Sequence, residues 1–205
     1  MLISLLSGRL DFMTAVVQIL ASLVVIFLIM PFHEWAHAFT AYKLGDTSVK
    51  YRVRLTLNPI EHIDPIGALL IILVGFGWAK PVPVDDRNFK NPKVGMGITA
   101  LAEPLANFVA ALAGGLILNA LVKFTGFWAS LDTGTVWYYI YAFLSYYIVL
   151  NICLAVFNLV PIPPLDGSRV LEAFLPYKYM EYYYWCERYG TIILLFLLLF
   201  GRIPF

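Results

Sequence analysis

The residues with the most chemistry in this sequence are two histidines and a glutamate in the run His33-Glu34-Trp35-Ala36-His37. On an α-helix, residues four apart are separated by about 40° of rotation, so His33 and His37 project side by side and can bind one metal ion. Glu34 is offset by about 100° from His33, where it can accept a proton from a metal-bound water. A catalytic zinc site has three protein ligands and one water. The run therefore predicts a hydrolytic zinc site that needs a third ligand.

Two acidic residues, Glu103 and Asp166, could supply the third ligand, because both lie where the chain reaches membrane depth. Asp166 follows a proline-rich stretch in which no regular helix can form, and Gly167 permits a tight turn that can aim a carboxylate. The alternative is that Asp166 caps the helix that follows, since Asp is a preferred N-cap residue. The residues alone leave both interpretations of Asp166 open.

The composition is that of a membrane protein. Of the 205 residues, 61% are hydrophobic and 13% are charged, against about 25% charged in soluble domains, and the mean hydropathy is +0.79. The formal net charge of +1 gives no indication of a nucleic-acid partner. Cys153 and Cys186 form no CxxC pair, which argues against a thiolate metal site. Ionisable groups beside a long apolar run are costly unless they have a function, which disfavours an accidental histidine motif.

Long apolar runs predict about four transmembrane helices, since about 20 apolar residues cross a bilayer. The apolar runs are 12–31, 94–122, 136–160 and 190–205. The helical pattern of the first continues through the histidine motif to residue 44, and the last run is short.

Two further segments predict other structures. In 47–56, apolar and basic residues alternate with a period of two, which favours a strand. Segment 65–79 is too short to span, and its glycines predict a re-entrant segment followed by an extended edge over 77–84. We therefore expect an all-α polytopic membrane protein with a small membrane-associated β-sheet and a re-entrant element, organised as one domain over residues 1–205.

Basic residues are concentrated between the first and second apolar runs, whereas the connection 123–135 has Lys123 alone. The residues of the basic region are Lys43, Lys50, Arg52, Arg54, Lys80, Arg87, Lys90 and Lys93. By the positive-inside rule this region is cytoplasmic, so the first helix runs from outside to inside. His33, His37 and Asp166 are then expected to meet on the cytoplasmic side.

These motifs together resemble the site-2 protease family of intramembrane zinc metalloproteases, in its compact bacterial and archaeal branch without PDZ or CBS domains. The resemblance covers roughly residues 12–172, the expected core of a transmembrane protease domain. It implies that His33, His37 and Asp166 bind one zinc ion and that Glu34 activates water. It also implies that Asn158 positions or stabilises the substrate carbonyl; the alternative is that Asn158 caps a terminating helix.

The resemblance also rests on the run Gly75-Phe76-Gly77-Trp78-Ala79-Lys80-Pro81-Val82-Pro83-Val84. It implies that an unwound substrate pairs with this edge by strand addition. The substrate-binding residues would then be Gly75, Gly77, Trp78, Ala79, Lys80 and Pro81. The implied partners are the lipid bilayer and single-span transmembrane or signal-peptide-like substrates, cleaved in regulated intramembrane proteolysis. The implied location is the cell membrane, with several passes and the active site toward the cytoplasm.

Glu103 departs from the family pattern, because the run Ala102-Glu103-Pro104-Leu105 has an acid where the family has a small residue. A carboxyl group buried there is either neutral or paired with a base such as His62. For His62 we expect a structural or gating role.

Three other functions fit the histidine motif less well. A metalloprotease that completes its site with a downstream glutamate would use Glu172, Glu181 or Glu187, none of which lies in an apolar helical setting. A di-iron oxidase needs many histidines, and this chain has three. A zinc transporter or scaffold needs no general base beside His33.

Overall fold

The computed structural model of the protein describes residues 11–52, 54–74, 78–125 and 135–200, in which all regular secondary structure is helical. Two 3₁₀ turns, Asp86–Asn88 and Tyr177–Tyr179, accompany nine α-helices in this part of the chain. The helices are α1 (Phe12–Val24), α2 (Met30–Leu44), α3 (Ser48–Tyr51), α4 (Pro59–His62), α5 (Pro65–Val74), α6 (Pro92–Thr125), α7 (Val136–Asn158), α8 (Asp166–Phe174) and α9 (Met180–Phe200).

Three helical stretches of the described residues are long and apolar enough to cross a membrane, namely Phe12–Leu44, Pro92–Phe124 and Val136–Asn158. The prediction of about four spans is therefore wrong for this part of the chain. Helix α9 contains the start of the fourth apolar run, but its first half also carries Glu181, Glu187 and Arg188. Charged side chains of this kind make burial of the whole helix in hydrocarbon unfavourable.

The first span is one helical rod in which a π-helical turn, Val25–Ile29, joins α1 to α2. In this turn the N–H of Met30 bonds to the carbonyl of Val25, five residues earlier. Pro31 follows at once, and a proline has no N–H and its ring crowds the carbonyl four residues before it. The wider turn makes room for that ring, so the rod continues without a break into the histidine motif.

Helix α6 is at the centre of the molecule and packs against α2, α7 and α8, while α1 packs against α7. The main core cluster joins the π turn to Ile71 of α5 and Ala110 of α6. Small residues permit the close approach of the spanning helices, because a Cβ at Gly114 would lie 2.9 Å from the Tyr147 ring. Close packing of this kind fixes α6 and α7 relative to each other.

The predicted strand over 47–56 is wrong. Residues Ser48–Tyr51 form helix α3, and no strand is present among the described residues, so the predicted small β-sheet is also wrong. The alternation of apolar and basic side chains extends over only a short segment, and a strand is stable only where a second strand pairs with its backbone N–H and carbonyl groups. Here the Asp46 side chain instead accepts the N–H of Ser48 at 3.0 Å, which favours a helical turn.

The short apolar segment after His62 forms helix α5, whose ten residues extend about 15 Å, half of the roughly 30 Å of a bilayer core. It is therefore too short to cross. Gly75 and Gly77 lie outside the described residues. From Trp78 to Asp85 the chain has no regular secondary structure. The segment predicted as an extended edge therefore pairs with no strand in the described part of the chain. A Cβ at Gly67 would lie 2.0 Å from the Trp78 carbonyl oxygen, so glycine is required for the contact between α5 and this segment.

Candidate metal centre

Helix α2 places the histidine motif inside the protein, where His33 and His37 are each 8% exposed and Glu34 is 5% exposed. The Nδ1 atom of His37 lies 3.1 Å from the Thr99 carbonyl oxygen on α6. A hydrogen bond from Nδ1 fixes the tautomer and leaves the other ring nitrogen, Nε2, with a lone pair for a metal. Packing of α2 on α6 thus leaves Nε2 as the nitrogen of His37 that could bind a metal.

Asp166 is the first residue of α8, and the preceding N-cap residue, Leu165, makes no side-chain capping bond. The interpretation of Asp166 as an N-cap is therefore not supported; its carboxyl is hydrogen-bonded to that of Glu103. Gly167 makes this position possible, because a Cβ there would lie 2.1 Å from the Leu159 carbonyl oxygen. Burial and the neighbouring Glu103 carboxyl raise the pKa of Asp166 to about 10, because a second negative charge in this buried group is unfavourable.

Glu103 lies at the centre of this group. Its Oε2 atom is 2.9 Å from His33 Nε2 and its Oε1 atom is 3.2 Å from His37 Nδ1. The alternative pairing with His62 is not observed, because the Nε2 atom of that buried imidazole lies 2.7 Å from the Thr56 carbonyl oxygen. Burial is the main cause that lowers the pKa of His62, which suits a neutral structural histidine.

The side chains fit a divalent cation. One potential ligand atom from each of His33, Glu103 and Asp166 lies within 4.8 Å of the other two. His37, also predicted as a ligand, is not one of these three residues; its Nδ1 atom contacts Glu103. The Oε2 atom of Glu34 is buried without a hydrogen-bond partner in the described part of the chain. Imidazole and carboxylate groups are ordinary zinc ligands, and a divalent cation offsets the charges of two neighbouring carboxylates.

Asn158 is the last residue of α7, and its Nδ2 atom lies 3.4 Å from His33 Nε2. Its amide is therefore beside the ring nitrogen of His33 that faces the group.

The segment that follows α5 reaches the same site. Trp78 is 44% exposed, the Lys80 N–H donates to the His62 carbonyl at 2.8 Å, and the Val82 N–H donates to the Glu34 carboxylate. Pro81 has no N–H, so few backbone N–H groups of this segment are free. A strand that paired with it would have to donate its own N–H groups to the carbonyl groups of the segment.

The three glutamates that a different metalloprotease could use as zinc ligands are not part of this group. Glu172 and Glu187 pair with Arg169 at 3.3 and 2.5 Å, and Glu181 is exposed.

The contributions of Thr99 and Val82 could not be predicted from the sequence, because both residues act through backbone groups and the types of their side chains give no signal.

Residues 21–200 match the sequence profile of peptidase family M50. A relative from Bacillus subtilis (strain 168), named "Putative zinc metalloprotease YwhC", is 42% identical over 176 residues, which are 84% of this chain and 78% of the relative. A Mycolicibacterium smegmatis relative, named "Putative zinc metalloprotease Rip2", is 32% identical over 172 residues, which are 82% of this chain and 62% of the relative. The protein of that name from Mycobacterium tuberculosis (strain ATCC 25618 / H37Rv) is 32% identical over 147 residues, 70% of this chain and 52% of the relative.

The chain thus spans less than two thirds of the Rip2 relatives. No solved structure matches this chain. The family profile covers most of the chain, and the buried histidine motif lies on a helix long enough to span a bilayer. The chain therefore belongs to peptidase family M50, the site-2 protease family, and is a zinc metalloprotease of the membrane.

Proposed function

We propose that this protein hydrolyses peptide bonds within or near the transmembrane segments of single-span substrates, as a protease of regulated intramembrane proteolysis. The observation that carries the proposal is the approach of Asp166, from outside the spanning helices, to His33 on the first spanning helix. A site built in this way lies where a substrate helix can reach it from the bilayer, while the extended segment after α5 stays beside it.

We assign His33, His37 and Asp166 as ligands of one zinc ion. When bound, the ion supplies Lewis-acid polarisation of the scissile carbonyl and increases the acidity of water. Glu34 takes the proton of the attacking water at Oε2, the oxygen without a hydrogen-bond partner in the described residues, and delivers it to the leaving amine. Asn158 donates from Nδ2 to the oxygen that develops negative charge. Thr99 holds His37 in orientation.

The proposed substrate-binding residues are Gly75, Gly77, Trp78, Ala79, Lys80 and Pro81. An unwound substrate strand would donate its N–H groups to the carbonyl groups of this edge, since the Lys80 and Val82 N–H groups already have acceptors. Strand addition of this kind exposes the scissile bond, which is otherwise enclosed in the hydrogen bonds of a transmembrane helix. Single-span proteins and signal-peptide-like remnants are the substrates that suit it.

We also propose that residues 1–205 act as one transmembrane protease domain with its core in 12–172 and its active site toward the cytoplasm. The concentration of basic residues between the first two spans supports this orientation.

The decisive variant is Glu34→Gln, which keeps the size of the side chain but removes the base. We expect zinc content to be retained and cleavage of a transmembrane reporter to fall by about 10²–10⁴-fold. Glu181→Gln, an exposed change on α9, is the matched control and should cleave normally. Membrane-fragment proteomics comparing wild type with Glu34→Gln then identifies the substrates.

Two results would contradict this assignment. Cleavage at the wild-type rate by zinc-loaded Glu34→Gln excludes Glu34 as the base. Full zinc content in Asp166→Ala excludes Asp166 as a ligand.

A further inference from the structure

A second carboxylate occupies the centre of the proposed zinc site. Glu103 comes from α6, is 8% exposed, and directs one oxygen at each histidine of the motif, at 2.9 Å from His33 and 3.2 Å from His37. It also shares a hydrogen bond with Asp166. These contacts are with residues proposed as zinc ligands, through Nε2 of His33 and through Nδ1 of His37, the nitrogen that also faces the Thr99 carbonyl.

These atoms lie near enough to one another to become ligands of one ion. With zinc bonds of about 2.0–2.1 Å to nitrogen and oxygen, neighbouring ligand atoms in a tetrahedral site are separated by about 3.3 Å. The distance from Glu103 Oε2 to His33 Nε2 is 2.9 Å, and the three atoms from His33, Glu103 and Asp166 lie within 4.8 Å of one another. For all three atoms to reach about 3.3 Å from one another, the close pair has to separate slightly and the wider pairs have to approach by up to about 1.5 Å.

Helix α6 holds Glu103 in this place through its neighbours. Thr99 and Glu103 are one helical turn apart, so both lie on the face of α6 that contacts α2. Pro104 is buried inside the helix, and it leaves one carbonyl of that turn without its usual helical donor. The Glu103 carboxyl group therefore projects from the face of a spanning helix that packs against the histidine helix.

We propose that Glu103 is a fourth protein ligand of the zinc ion and closes the coordination position that a water occupies during catalysis. This inference rests on the proposed ligands His33 and Asp166. A zinc site with four protein ligands is closed, whereas a catalytic one keeps a position open. In the arrangement described here the enzyme is in a resting state, and withdrawal of the Glu103 carboxylate opens the site.

The competing role for Glu103 is that of an orienting acceptor for His37 Nδ1, beside the Thr99 carbonyl. The isosteric variant Glu103→Gln separates the two roles, because an amide oxygen still accepts a hydrogen bond but is a poor zinc ligand. Glu103→Ala removes both roles. Glu181→Gln serves as the surface control.

The test is metal binding by the full-length protein in detergent. Zinc dissociation constants are measured by chelator competition, and binding of acetohydroxamate to the Co²⁺-loaded protein is followed in the visible spectrum. We expect Glu103→Gln and Glu103→Ala both to weaken zinc binding at least about tenfold. Both should bind acetohydroxamate more tightly than wild type, since no carboxylate has to be displaced. At saturating zinc, reporter cleavage by Glu103→Ala should exceed that of wild type.

Wild-type zinc and acetohydroxamate affinities in Glu103→Gln would overturn the inference and assign Glu103 to orientation of His37. Asp166→Ala distinguishes this failure from failure of the proposed site. If Asp166→Ala loses zinc while Glu103→Gln does not, the assignment of Glu103 alone is wrong. If neither loses zinc, the ligand set itself is wrong. Should Glu103→Ala not fold, as judged by thermal unfolding of the metal-free protein, the isosteric variant carries the test.

Discussion

Asp46 is a fully buried carboxylate that connects the end of the first span to the segment beside the active site. It accepts hydrogen bonds from the Ser48 N–H at 3.0 Å, the Asp85 N–H at 2.8 Å and Asn88 Nδ2 at 2.8 Å. Burial opposes ionisation of Asp46, but the donors outweigh it and lower its pKa below the usual 3.8. Its stabilising effect is therefore present above about pH 4 and is lost as the pH falls through this lowered pKa.

We expect Asp46→Ala to reduce the free energy of unfolding by about 1–3 kcal/mol, because two backbone donors and one side-chain donor lose their buried acceptor. It should also raise the KM for a transmembrane reporter, since Asp85 ends the segment Trp78–Asp85. Thermal unfolding in detergent and reporter kinetics provide the measurements. Asp86→Ala, an exposed change one residue beyond Asp85, is the control; equal effects from both variants would refute the role of Asp46.

Individual site residues were predictable to different extents. His33, Glu34 and His37 share one helix, so their spacing alone determines which side chains meet. Asp166 could be proposed from the prolines before it, but its contact with Glu103 depends on the packing of α8 against α6. The sequence marked Glu103 as exceptional without indicating its partners, because His62 was an equally reasonable base until the helices were arranged in space.

At the scale of the element, the close contact between α8 and the end of α7 decides where Asp166 lies. Gly167→Ala would place a Cβ 2.1 Å from the Leu159 carbonyl oxygen, a backbone atom that cannot move aside freely. We expect a loss of stability of about 1–3 kcal/mol from overpacking and a weaker zinc affinity because Asp166 is displaced. Chelator competition and thermal unfolding measure the two effects.

Gly115→Ala in α6 is the matched control, because a Cβ there meets nothing within 4 Å. Alanine is favoured over glycine inside a helix by about 1 kcal/mol, so this variant should be neutral or slightly more stable with unchanged zinc affinity. A Gly167→Ala protein that behaves like Gly115→Ala would show that α8 tolerates a side chain at this contact.

The elements also show where sequence patterns are insufficient. The spans containing the histidine motif and Asn158 follow from long apolar runs, since burial in lipid requires them. The strand predicted over 47–56 rests on alternation in ten residues. Instead the Asp46 side chain accepts the Ser48 N–H, and Ser48–Tyr51 form a short helix. A local pattern of this length does not reveal a hydrogen bond to a residue just outside it.

At the scale of the whole molecule, the three spans and the basic segment predict an orientation. We expect cysteines introduced at Lys50 and Lys90 to be labelled from the cytoplasmic side, and one at Val136 from the opposite side; all three positions are exposed. Cys153 and Cys186 are first changed to Ser, since both are exposed. A membrane-impermeant maleimide applied to intact cells and to inverted vesicles makes the comparison.

The reverse labelling pattern would contradict the orientation, and labelling of all three from one side would contradict the three-span arrangement. The orientation could be proposed from charge alone, because charge bias acts on loops whatever their structure. The number of spans could not, since whether α5 and α9 cross depends on their length and charge as folded helices.

The π turn Val25–Ile29 contains no catalytic group, yet it determines which way α1 faces. Its five residues cover about the rotation that four residues cover in an α-helix. If the same five residues wound as an ordinary α-helix, α1 would rotate by about 100° relative to α2, and its buried face with Ala15, Val17 and Ala21 would turn away from α7. The winding of this short turn therefore sets which side of the first span faces lipid, although it alters no residue of the zinc site.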